Sequence, residues 1–323
     1  MAQTNTTAIP QNIKVRHRGR GGQVSIYLGK LLRMFVYQND WKVLPMAALI
    51  AGMVGMVMRG RMFISMEGRE AGTLALVCIC IWNGFFNSIQ VICRERDVIK
   101  REHRSGMHIS SYIVSHMLYQ MLLCLVQVGI TIYVTQLTGV VYPAHGMITQ
   151  WMIVDIAISM FLLTYAADIM SLWISALARS TTVAMTVMPF LLIFQLIFSG
   201  GLFALPKWAE PITNYTVAGD GMKVIAAQAD INNLPAVSVG NLLHRMRNDP
   251  IDEDLTFGDL MDMFGEDEVR QYIGQKSAEA GYNPAYEKTV DNVVSLWGDL
   301  VIYVILFALL ATVTLEFIDK DKR

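Results

Sequence analysis

Long apolar runs separated by short charged stretches dominate the chain. Residues 73–93, 110–138 and 180–205 form runs of 21, 29 and 26 residues without Asp, Glu, Lys or Arg. Residues 148–178 are similarly apolar but carry Asp155 and Asp168, and 293–317 carry Asp299 near one end and Glu316 at the other. A helix needs about 20 apolar residues to cross about 30 Å of hydrocarbon. Val43–Met58 is the weakest candidate at 16 residues. It spans if Trp41 and Lys42 sit at the interface, with the Lys42 ammonium reaching up to water. The pattern predicts an all-α polytopic membrane protein with six transmembrane helices, five through residue 205 and the sixth in 293–323.

Three stretches do not fit that pattern. Residues 1–21 are polar and basic, read as a flexible tail against anionic headgroups, and 1–42 lack the apolar core of a signal peptide. In 22–42, Val24, Tyr27, Leu28, Leu31, Leu32 and Phe35 recur at helical spacing, with Lys30 and Arg33 off the stripe. That predicts an amphipathic connecting helix in the membrane surface. Residues 206–292 hold fifteen Asp or Glu against seven Lys or Arg. They read as a re-entrant or lid segment between the last two spans, with an acidic amphipathic helix over 254–278. Phe257, Leu260, Met261 and Phe264 would share one of its faces. The cluster Asp249, Asp252, Glu253 and Asp254 lacks calcium-loop spacing and reads as a solvated face.

Charge sets the expected orientation. With the N-terminus inside, inner segments hold 16 Lys or Arg and outer ones 10, seven of those in the long 206–292 segment. Long loops weigh little, so both termini are expected in the cytoplasm, with the chain in the plasma membrane. The sequon Asn214-Tyr215-Thr216 then lies outside.

The composition narrows the chemistry. The chain of 323 residues is 54% hydrophobic and 16% charged, with a net charge of −1. That argues against a soluble enzyme, disorder and nucleic-acid binding. Cys78, Cys80, Cys93 and Cys124 lie within apolar runs and have neither disulfide-framework nor zinc-site spacing. Phosphate-loop, HExxH and GxSxG patterns are absent from the sequence. Asp155, Asp168 and His116 are too few for a proton relay, so no catalysis, metal or cofactor is expected on this chain.

The most informative stretch is residues 94–109, an expected inner coupling loop whose mixed charges at helical spacing allow i,i+4 pairs such as Asp97 with Arg101. It packs Arg94, Glu95, Arg96, Asp97, Lys100, Arg101, Glu102, His103 and Arg104 between two charge-free runs. Glu95-Arg96, Arg101-Glu102, Gly106 and Tyr112 resemble the "ER…RE…G…Y" stretch of ABC-2 type exporter permeases, G-subfamily or type V in particular. SLWISALARS at 171–180, FSGGLFALPKW at 198–208 and the amphipathic helix are similar to that family's fourth span, outer hairpin and connecting helix.

The resemblance implies the membrane subunit of an ATP-driven exporter working by alternating access. It implies two copies of a separate ABC ATPase carrying ATP and Mg²⁺, and a second copy of this permease or a homologous one. Glu95, Arg96, Arg101, Glu102, His103 and Arg104 would couple to the ATPase. An amphipathic substrate would sit between the second and fifth spans. Asn83, Phe86, Asn87 and Gln90 would line that cavity from one side, and Phe194, Gln195 and Phe198 from the other; structural hydrogen bonding is the alternative for the amides. The long acidic outer segment and the intramembrane Asp168 depart from the family pattern. Asp168 is read either as structurally paired or as a substrate or cation contact. The rival functions are an ATPase-independent secondary transporter or channel, and a membrane sensor or scaffold with an acidic outer ligand-binding loop.

Overall fold

The computed structural model describes residues 19–37, 40–59, 62, 66–142, 145–202, 205–233, 247, 250–252, 255–265, 268, 271–272 and 283–317. The basic tail before residue 19, most of the acidic segment and the tail after residue 317 lie outside the described residues. Helices α1 (Arg20–Tyr37), α2 (Val43–Met58), α3 (Met66–Ser88), α4 (Val91–Arg104) and α5 (Ile109–Leu137) come first. They are followed by α6 (Met152–Leu177), α7 (Thr181–Ile197), α8 (Val217–Ala229), α9 (Phe257–Phe264) and α10 (Val290–Glu316). A short antiparallel pair, β1 (Pro250–Asp252) and β2 (Leu255–Thr256), precedes α9. The chain is an all-α polytopic membrane protein.

Among the described residues, five helical stretches are long and apolar enough to cross a membrane: Asp40–Met58, Ala71–Arg104, Ile109–Leu137, Met152–Leu177 and Val290–Glu316. The first gains its length from a 3₁₀ turn at Asp40–Lys42 that runs into α2. The short element is instead α7, with 17 residues. The uncharged run 180–205 reads as 26 residues because hydropathy does not register a turn. The helix stops at Ile197, and Ser199 and Gly200 turn the chain.

Helix α6 is the centre of the bundle, packed most extensively against α3 and α10. Among large apolar residues, its buried positions include the small or polar Ser159, Thr164, Ala167, Asp168, Ser171 and Ser175. Small side chains let helix backbones approach without a hydrophobic driving force, which lipid does not supply. At Gly84 on α3 an added Cβ would lie 2.5 Å from the Thr164 carbonyl oxygen and 2.8 Å from the Ala167 Cβ. Only glycine permits that α3–α6 spacing. Helix α8 re-enters the bundle and packs against α3, α6 and α10, with nearly all its residues buried.

The amphipathic stripe is confirmed as a helix, with a changed environment. Leu31 is buried, and Tyr27 and Phe35 face α5 through edge-on ring contacts with Tyr112 and Tyr119. Leu32, Val36 and Tyr37 stay exposed. The acidic helix predicted over 254–278 is shorter at its start and in its described extent. A capping box closes its N-terminus, with Thr256 Oγ1 accepting from the Asp259 N–H and the Asp259 carboxylate accepting from the Thr256 N–H. It runs as α9 to Phe264. Of the expected apolar face, Met261 is buried, while the side chains of Phe257, Leu260 and Phe264 lie outside the described residues.

Candidate functional site

The charged stretch expected as a loop at 94–109 is largely helix α4, tied to its neighbours along its length. The break between α3 and α4 at Ile89–Gln90 leaves the first N–H groups of α4 without helical partners. Ser175 of α6 supplies one: its Oγ accepts from the Ile92 and Cys93 N–H groups at 3.0 and 3.2 Å. One turn on, Arg96 donates from Nη1 to the carbonyls of Ala176 and Ala178, at 2.9 and 3.0 Å. Those are free carbonyls at the C-terminus of α6, where a cation is favoured. Higher up, Ser171 donates to the Phe85 carbonyl at 2.9 Å, and Ser88 donates to Asp168. These contacts form one polar seam joining α3 and α4 to α6.

The opposite side of α4 holds α1. Tyr27 donates to the Glu102 carboxylate at 2.9 Å, and Lys30 lies 3.6 Å from Glu95. Gln23 brackets the helix end, donating to the Gly106 carbonyl at 3.2 Å and accepting from the His108 N–H at 2.9 Å. Gly106 takes φ of +99°, a conformation glycine adopts without penalty, and this closes α4. His103 Nδ1 lies 3.1 Å from the Met107 carbonyl. Burial, then the Glu102 carboxylate, pushes the Tyr27 hydroxyl well above its ordinary pKa.

Among the six residues expected to face an ATPase, Glu95, Arg96, Glu102 and His103 therefore engage this chain itself. Arg101 and Arg104 are exposed, and with Arg94 and Asp97 they recur at helical spacing along the open face of α4. The sequence pattern could not separate the two faces, because both carry charges.

The residues assigned to a cavity divide as well. Phe86, Asn87 and Gln90 line a cleft of about 220 Å³ with Leu31, Asp40 and Arg94. Asn83 is buried elsewhere, and the polar stripe is broken because α3 ends before Gln90. On α7, Phe194 is exposed and its ring lies 4.7 Å from that of Phe198. Phe190, also exposed, extends that face. Gln195 is buried, and its Oε1 accepts from the Ala218 N–H in the first turn of α8 at 3.0 Å. Thr216 completes the joint, accepting from the Gly219 N–H and donating to the Phe198 carbonyl at 3.1 Å. Gln195 thus anchors the re-entrant helix.

Both intramembrane acids have partners. Asp155 accepts from the N–H groups of Met147, Ile148 and Thr149 at 2.7–3.0 Å, which fixes the turn before α6. Asp168 accepts from Ser88, from Asn87 Nδ2 at 3.3 Å and from the Cys124 thiol at 3.3 Å. Gln127 pairs with Asn87 in both directions, at 2.8 and 3.0 Å, and Gln120 donates to Ser88 at 2.7 Å. Sequence reasoning missed Ser88, Gln120, Gln127 and Ser175, which lie singly within apolar runs. The signal was their alignment on the inward faces of α3, α5 and α6, and that requires knowing which helices touch.

No curated protein matches the chain. The family model described as ABC-2 type transporter matches residues 30–214, more than half of the 323 residues. That span runs from the middle of α1 through α4, the polar seam and α7 to the turn before α8. The chain belongs to the ABC-2 type transporter family.

Proposed function

We propose that the chain is the transmembrane permease subunit of an ABC exporter of the G-subfamily, or type V, kind. It would move an amphipathic substrate by alternating access, driven by a separate ATPase. The observation that carries this reading is the attachment of α4. A charged helix with one open face is fixed on its other sides to α1 through Glu95 and Glu102, and to α6 through Ser175 and Arg96. A force applied to Arg94, Asp97, Arg101 and Arg104 would pass to the centre of the bundle without being absorbed by a loose loop.

In this reading the α4 end of the bundle and both chain termini face the cytoplasm of the plasma membrane. Two ATPase copies carry ATP and Mg²⁺ and press on α4, and hydrolysis occurs on those subunits, not here. A second permease copy packs across the exposed faces of α3 and α7, where Trp82, Phe86, Phe190 and Phe194 offer aromatic walls. Helix α7, about 25 Å long at 1.5 Å per residue, makes the fifth of six crossings and is completed by the re-entrant α8. Transport requires the substrate to bind the inward-open and outward-open states with different affinity.

Single cysteines at Arg101 and Arg104 test the coupling face. In native membranes, a short bifunctional crosslinker should join Arg101→Cys or Arg104→Cys to an ABC ATPase, while a cysteine at exposed Tyr215 should not. Labelling of that ATPase equally from all three sites, or from none, would contradict the assignment.

A further inference from the structure

The cleft beside α4 shares Arg94 with the proposed coupling face, and its other features play no part in coupling. Its wall includes the apolar Leu31, Met34, Val43 and Leu123, and its polar groups come from the turn at Asp40–Lys42 and from α3, α4 and α5 with the break between α3 and α4. At about 220 Å³ it has room for about seven waters or one small head group. His116 lines it and is 1% exposed, and neither ring nitrogen has a hydrogen-bond partner. Buried polar groups are nearly always satisfied, so an unpartnered imidazole facing a cavity marks a missing ligand or water.

Two charges of opposite sign, Arg94 from α4 and Asp40 from the turn before α2, also line it. Among the described residues, no side chain pairs with the Arg94 guanidinium or with the Asp40 carboxylate. The third acid there, Glu95, is already held by Lys30. A second, wholly apolar groove of about 150 Å³ shares Tyr119 and Leu123 with the cleft, and continues along Leu32, Phe35, Leu44, Leu122 and Val126. A cleft lined by one charge of each sign therefore borders an apolar groove, the two meeting at Tyr119 and Leu123. Basic pockets between spanning helices are a known means of holding lipid heads, and here the added carboxylate selects further.

We propose that this cleft binds one phospholipid whose head carries both a phosphate and a primary ammonium. The phosphate lies at Arg94, the ammonium at Asp40, a head-group oxygen at the His116 imidazole, and one acyl chain in the apolar groove. Such a lipid bridges α1, the start of α2, α4 and α5. The site shares Phe86, Asn87 and Gln90 with the proposed substrate walls, but its test needs neither ATPase nor transport. Its failure would leave the transporter reading standing.

The full-length chain, delipidated in detergent, is titrated separately with dioleoyl phosphatidylethanolamine, phosphatidylcholine and phosphatidylglycerol, read by intact-protein mass spectrometry and thermal unfolding. One phosphatidylethanolamine per chain is expected to bind and raise the unfolding temperature. Arg94→Gln and Asp40→Asn should each weaken it by about tenfold or more, since each removes a charge-assisted contact. Phosphatidylglycerol, lacking the ammonium, should bind wild type and Asp40→Asn alike. Equal binding of all three lipids to the wild type would mean an ordinary annulus and overturn the proposal. So would unchanged phosphatidylethanolamine binding in both folded variants.

Discussion

Asp168 shows how much a single residue can hold. Its carboxylate is the common acceptor for Ser88, Asn87 and Cys124, and Gln120 and Gln127 form the next layer. Asp168→Ala would strand these donors in a buried site, at a cost of about 1–3 kcal/mol, nearer the lower figure within a membrane bundle. Asp168→Asn keeps an acceptor oxygen and should lose less. Thermal unfolding in detergent ranks the two, and equal losses would show that the hydrogen bonds do not carry the site. Arg96→Ala should similarly cost about 1–3 kcal/mol by freeing the Ala176 and Ala178 carbonyls. Arg101→Ala on the open face should leave the unfolding temperature nearly unchanged. The sequence exposed Asp168 as exceptional, since a charge within an apolar run is visible by itself. Its partners were not visible, because a serine or glutamine in a span is ordinary until a neighbouring helix brings an acid to it.

At the scale of elements, two contacts set the geometry. Gly84 fixes the distance between α3 and α6, and a larger side chain there meets backbone atoms that cannot swing away. Gly84→Leu should destabilise by about 1–3 kcal/mol or more and reduce the folded yield, read by size-exclusion profile against Gly129→Leu. An added Cβ at Gly129 meets nothing within 4 Å. The second contact is the hold of α1 on α4. Tyr27 has a raised pKa, so its phenol keeps its proton to higher pH in the folded chain than in the unfolded one. Its stabilisation is present in full below about pH 10 and is lost only as pH rises above that. A spin-label distance between α1 and α4 should therefore stay constant from about pH 7 to 9; widening within that range would mean that another group controls the contact. Periodicity alone revealed α1, because its apolar positions repeat at helical spacing. The ends of α4 and α7 were not legible. The helical spacing of the charges at 94–104 pointed to α4 without placing its ends, and uniform hydropathy concealed the turn at Ser199–Gly200.

Across the whole molecule, the apolar runs marked where the membrane lies, and the charged stretch between the second and third runs pointed to the family. Composition could not indicate that α6 occupies the centre or that α8 folds back into the bundle. Both depend on small residues meeting across helices, and no single run records them. In the proposed mechanism this bundle is driven from outside, by a partner acting on α4. Intact-complex mass spectrometry of the tagged chain, extracted gently from its native membrane, tests it most directly. A complex of two permease chains and two ABC ATPase subunits, losing the ATPase when Arg94, Arg101 and Arg104 are all changed to Glu, is the predicted result. A chain that emerges alone, or as an oligomer with no ATPase, would rule out a drive through α4.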